Sequence, residues 1–164
     1  MRIITILMAL LQLLAEVAGV RPLTRQGSPA RLSGLRSQAR SDAAVLIVDH
    51  GSRKAEANSR LHAVVRSYKE YSALSIVEAA HMELAEPSIS EAFRRCVEQG
   101  ARHIICHPYF LSPGRHVQED IPALMKEAAS QFPGVTYTIT SPLGSQEGIL
   151  GLIDAAVKND AQKE

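Results

Sequence analysis

The stretch Ala43-Ala44-Val45-Leu46-Ile47-Val48-Asp49-His50-Gly51-Ser52 decides the architecture. Six apolar residues with no polar alternation read as a strand buried on both faces, which belongs inside a sheet covered by helices. Asp49-His50-Gly51-Ser52 ends the run and turns the chain. Downstream, Leu61, Val64, Val65 and Tyr68 recur at helical spacing and predict a helix over about residues 54–71. Ser75 to Ala80 is a second, weaker strand. Glu86-Pro87-Ser88 has helix-start chemistry, and Ile89, Ala92, Phe93 and Val97 form the next stripe until Gly100 stops it. His103 to Cys106 is a third strand, followed by a loop from Pro108 to Arg115. Ile121, Leu124, Met125 and Ala128 mark a third helix, with Pro122 tolerated only in its first turn. Val135 to Thr140 is a strand by β-propensity. A last helix places Ile149, Ile153, Ala156 and Val157 on one face.

This βαβαβαβα order predicts an α/β domain, a four-stranded parallel sheet with right-handed crossovers and helices on both faces. In such folds ligands bind outside the carboxyl ends of the strands. Three titratable side chains fall there: His50 after the first strand, Glu83 after the second and His116 beyond the third. Two imidazoles and a carboxylate converging on a cleft suit a divalent metal or proton transfer near neutral pH. Taken singly, each has a plainer reading. A histidine at a strand end is most often a hydrogen-bonded turn residue, and Glu83 would suit the start of the helix at Ser88. Their common edge is what raises the trio. His62, His81 and His103 read as surface or structural, His107 lies near the rim, and Cys106 reads as a buried inert thiol.

The 164 residues carry 18 basic and 17 acidic groups, a net charge of +1, with 46% hydrophobic content. These values fit a folded domain and exclude polyanion binding by bulk charge, so no nucleic-acid partner is expected. Two cysteines exclude a disulfide scaffold and a four-thiolate zinc site. No glycine-rich dinucleotide or phosphate loop and no nucleophile elbow occurs.

The charge is uneven along the chain. Residues 1–42 hold six basic and two acidic groups, whereas residues 43–164 hold 12 and 15 together with all six histidines. Ile3 to Leu14 has the length of a secretory hydrophobic region rather than a membrane span, and Val17-Ala18-Gly19 offers small residues for cleavage. Arg21 to Ser41 is rich in Arg and Ser and free of acid. Residues 1–42 therefore read as a targeting segment, a signal followed by a transit sequence, as for a plastid. A basic tail behind an N-terminal helix is the competing reading. Residues 43–158 are the expected domain and 159–164 a tail, with no stable membrane span in the mature protein.

Four stretches then carry a recognisable pattern: Val48-Asp49-His50-Gly51-Ser52-Arg53, Ala80-His81-Met82-Glu83-Leu84-Ala85-Glu86-Pro87-Ser88-Ile89, Pro108 to His116 and Asp120-Ile121-Pro122. In this order, over residues 44–158, they resemble the short-form sirohydrochlorin chelatases, and most of all the plant iron-inserting members. The resemblance implies a single chelatase-like domain, half of a two-lobed chelatase, acting as a homodimer. It implies that His50 and His116 contact the metal and that Glu83 completes the catalytic site. The implied reaction inserts Fe²⁺ into sirohydrochlorin, giving sirohaem and two protons, with no organic cofactor. Sirohydrochlorin bears eight carboxylates, so Arg53, Arg115 and the helix start at Ser88 are candidate substrate-binding groups. For the two arginines, ordinary surface solvation is an equal alternative. Some plant relatives carry a cysteine-containing C-terminal extension associated with an iron–sulfur cluster. The stretch after Val157 has no such cysteines, and no cluster is expected. Two rival functions stay open: Co²⁺ insertion into the same macrocycle, since imidazole and carboxylate bind both metals, and a carrier that binds without catalysing.

Overall fold

The computed structural model describes residues 42–161. The targeting segment expected over residues 1–42 lies outside them except for Asp42. Within them the order is β1 (Ala43–Asp49), α1 (Ala55–Ser72), β2 (Ile76–His81), α2 (Ile89–Glu98), β3 (His103–Pro108), a π turn (His116–Asp120), α3 (Ile121–Ser130), β4 (Thr136–Ile139), a 3₁₀ turn (Leu143–Ser145) and α4 (Gly148–Ala161). The four strands form one parallel sheet in the order β2-β1-β3-β4. β1 is central, which is why its middle five residues are all buried.

Alternation along β1 sorts the core into two layers. Ala44, Leu46 and Val48 face α2 and α3, where Ile89, Ala92, Phe93, Cys96, Ile121, Met125 and Ala128 close over them. Phe93 is fully buried and stacks on Phe132 with centroids 5.8 Å apart. Val45 and Ile47 face α1 and pack with Leu61, Val65, Val77 and Ala79. The expected helices on both faces are therefore present, one on one side and two on the other.

Helix boundaries follow local chemistry. Ser88 caps α2 by accepting the Glu91 N–H, 3.3 Å away. Gly100, at φ +98°, accompanies the turn that ends this helix. α1 ends at Ala73 in the left-handed region, where its N–H reaches back to the Lys69 carbonyl. The apolar stripe expected to bury α4 behaves differently: Ile149 is half-buried while Ile153, Ala156 and Val157 are exposed, and the helix continues past residue 158 to Ala161. α1 lies against β1 and β2. The same face of β3 and β4 carries a polar ladder instead, His103 to Thr136 at 2.8 Å, continued by His107 to Thr140 at 2.7 Å. No helix among the described residues is long and apolar enough to cross a membrane.

Candidate active site

From β1 the chain leaves toward β2 on one side, while β3 lies on the other, so the carboxyl ends of β1 and β3 flank a topological switch point. Just past the last rung of β1 and β2 two backbone bonds tie the loops together: Met82 donates its N–H to the Asp49 carbonyl at 2.9 Å, and Glu83 donates to the His50 carbonyl at 3.1 Å. This carries His50 and Glu83 onto the rim side by side. Their side chains meet too, with His50 Nε2 2.9 Å from Glu83 Oε1.

Gly51 makes the approach possible. Its φ is +85°, and a Cβ there would stand 2.0 Å from the Glu83 carbonyl oxygen. Only glycine relieves both the torsional and the steric demand at this turn. Behind the turn, Asp49 Oδ1 accepts the Gly51 N–H at 3.0 Å and lies 2.6 Å from Nδ1 of His81.

His116 arrives from the other side of the switch point. It opens the π turn, in which the Ile121 N–H bonds the His116 carbonyl. The widened turn has a local cause: Pro122 has no N–H to offer the Gln118 carbonyl, and its ring would press against that group in a regular helix. The turn also brings His116 Nδ1 within 2.7 Å of Asp120 Oδ2. The imidazoles of His50 and His116, 66 residues apart in sequence, stand edge to face with centroids 5.1 Å apart. About half of each imidazole and of the Glu83 side chain is open to solvent.

Asp120 selects the tautomer of His116. A carboxylate at Nδ1 takes the N–H there and leaves Nε2 with a lone pair, the arrangement of a metal-ligating imidazole. His50 is arranged differently, with Nδ1 3.2 Å from the Gly51 carbonyl and Nε2 against Glu83. The contact with the Glu83 carboxylate occupies the ring nitrogen that would otherwise face an incoming cation. No set of three His, Cys, Asp or Glu side chains among the described residues is closed up as a finished metal cage. His50, Glu83 and His116 form a rim cluster in which one pair is occupied by its own hydrogen bond.

The remaining expected residues sit less centrally. Arg53 is exposed just after the His50 turn. Arg115 is exposed beside His116 and pairs with Glu119 at 3.3 Å. Ser88 serves its helix, and its own N–H is taken by Glu86 Oε2 at 2.6 Å. Cys96 and Cys106 are buried, and burial pushes both thiols up to about 12, which leaves them unreactive. Burial also lowers the pKa of His107. Three residues without an expected role belong to the surroundings of the site: Asp120, Asp49 and His81. The Asp120 contact had a visible signal, since 116 and 120 are helical neighbours.

Residues 44–160 match the family model described as CbiX. The chain is 46% identical over 138 residues to the chloroplastic sirohydrochlorin ferrochelatase of Arabidopsis thaliana, covering 82% of this chain and 61% of that protein. Against the sirohydrochlorin ferrochelatase of Bacillus subtilis it is 33% identical over 116 residues, 71% of this chain and 44% of that one. The sirohydrochlorin cobaltochelatase of Priestia megaterium matches at 30% over 118 residues, 72% and 38% of the two chains. A solved cobalamin-biosynthesis CbiX protein from Marinobacter aquaeolei superposes with a TM-score of 0.66 at 27% identity, covering 74% of this chain and 99% of that one. The chain thus spans between 38% and 61% of the length of these three curated relatives. With the match running from β1 into α4 and enclosing the whole rim cluster, the chain belongs to the CbiX family.

Proposed function

We propose that this protein inserts Fe²⁺ into sirohydrochlorin, forming sirohaem and releasing two protons. The observation that carries the reading is the meeting of His50, Glu83 and His116 at the switch point, in a chain 46% identical to a plant sirohydrochlorin ferrochelatase. The metal is a substrate in this reaction, and an open cluster suits a cation that must be both captured and given up. His116, with Nε2 left basic by Asp120, and His50 would receive the ion. Two pyrrolic N–H groups must lose protons as the metal enters the ring. Glu83 can take them in turn and pass them to solvent, because about half of its side chain is exposed. Arg53 and Arg115 would hold peripheral carboxylates of the macrocycle, Arg115 by exchanging its exposed pairing with Glu119. The Ser88 and Glu91 N–H groups at that helix start are committed locally, so Ser88 would contribute to substrate binding only if Glu86 swings away.

The fold boundary at residues 43–158, a homodimeric assembly and a plastid location are part of the same reading. Dimerisation is supported by the exposed Leu150, Ile153 and Val157 on α4, which a second copy would cover. The plastid location is supported by the acid-poor, basic residues 1–42 and by the chloroplastic relative. Cobalt insertion is the second reading, favoured by the cobaltochelatase relative. Absorbance assays of the full chain with sirohydrochlorin and either Fe²⁺ or Co²⁺ test both. Faster turnover with Fe²⁺ is expected. Faster turnover with Co²⁺ selects the second reading, and macrocycle binding without insertion of either metal would leave a carrier.

A further inference from the structure

Directly behind the rim cluster stands a second polar pair. Asp49 and His81 are register partners at the last rung of β1 and β2, and their side chains join at 2.6 Å. By strand alternation they lie on the face covered by α1, opposite the layer of Val48 and Ala80. His81 is fully buried, and its Nε2 has no hydrogen-bond partner. Its ring meets His62 of α1 edge to face, with centroids 5.8 Å apart.

An apolar ring of the same size would fill this position without stranding a polar atom, so core packing alone does not account for histidine here. What the imidazole adds is its Nδ1. That atom engages Asp49 Oδ1, the same oxygen that accepts the Gly51 N–H at 3.0 Å. Asp49 is thereby bound on one side to β2 and on the other to the turn that presents His50. The backbone of that turn in turn carries Glu83 through the His50 carbonyl.

The geometry points to Asp49 and His81 as a positioning pair that sets the His50 turn against Glu83. The inference rests on the reading of His50 and Glu83 as the reacting centre. It assigns the pair no contact with substrate or metal. Its role is to hold the His50 turn at the hydrogen-bonding distance from Glu83, and the hydrogen bond from the His81 Nδ1–H to Asp49 is the part that does so.

Side-chain shape allows a sharp test. Asparagine places an N–H donor where Nδ1 of histidine lies, glutamine places one near Nε2, and phenylalanine offers none. In the full chain, His81→Phe should fold, keep its KM for sirohydrochlorin within about twofold and lose about 10–100-fold in kcat. His81→Asn should recover most of that loss, whereas His81→Gln should not. Thermal melts of each variant separate these effects from unfolding, and the Asn–Gln comparison decides the matter even if His81→Phe fails to fold. Wild-type kcat in His81→Phe, or equal activity of His81→Asn and His81→Gln, overturns the proposal. His50→Ala is assayed alongside. If it keeps near-normal turnover, the reading of the reacting centre fails, whereas an inactive His50→Ala beside a fully active His81→Phe defeats the positioning role alone.

Discussion

Glu83 is attached to His50 twice: its backbone N–H donates to the His50 carbonyl at 3.1 Å, and its carboxylate lies 2.9 Å from the same residue's Nε2. The first bond ties the two loops together and fixes position. The second is chemical, because it places an acceptor against the nitrogen that would otherwise face an incoming cation. The two are separable by mutation.

Glu83→Gln keeps the backbone bond and removes the carboxylate. Metal insertion should fall by about 10²–10⁴-fold, the usual worth of a positioned proton acceptor. Sirohydrochlorin binding, followed by absorbance titration, should stay close to wild type. Loss of the folded state on circular dichroism would mean that Glu83 serves the helix start instead.

Gly51 closes the same arrangement from behind. In Gly51→Ala the new Cβ meets the Glu83 carbonyl oxygen at 2.0 Å and the residue is forced to hold φ +85°. Backbone strain of this kind costs about 1–3 kcal/mol, and relief of the clash must separate the two loops. Urea denaturation should show that loss, and insertion should fall with it. A variant with unchanged stability and activity would show that the turn has room to open.

His107 supplies a pH dependence away from the reacting centre. Burial lowers its pKa in the folded state, so between the folded and unfolded values the unfolded chain binds more protons. Stability therefore rises with pH across that window. The penalty is absent above the ordinary imidazole value, grows as pH falls through it, and is complete below the folded value. Urea midpoints at pH 7.5 and 5.5 should differ more for wild type than for His107→Gln. Identical differences would remove His107 from the acid response.

The sequence carried the rim in outline because strand ends were marked by composition: Asp49-His50-Gly51 after six apolar residues, and His107-Pro108 after His103 to Cys106. Parallel topology then brings His50 and His116 to the same edge without further information. The layer behind the rim was not legible, because it depends on register. Asp49 faces His81 only once β1 and β2 are aligned, and nothing in the Ser75–Ala80 stretch announces that alignment. His81 read as surface or structural and is the fully buried member of the pair. α4 shows the opposite difficulty. Its apolar stripe is visible in sequence, but a stripe says that a face seeks cover and does not say which surface supplies it.

His116 and Asp120 provide the remaining test, because they join the shared edge to the tautomer argument. Asp120 Oδ2 lies 2.7 Å from Nδ1 of His116, so its carboxylate holds the proton there and leaves Nε2 free to bind metal. His116→Ala removes the ligand itself. It should weaken insertion far more than macrocycle binding, since Arg53 and Arg115 remain for the carboxylates. Asp120→Ala leaves the ligand but frees both tautomers and the ring orientation, and should cost about 10–100-fold in insertion. The two losses are coupled: once His116 is gone, Asp120 has no imidazole to orient, and the double variant should be no worse than His116→Ala alone. Steady-state kinetics on the four proteins check this. Additive losses would show that Asp120 acts on the reaction by a route other than His116.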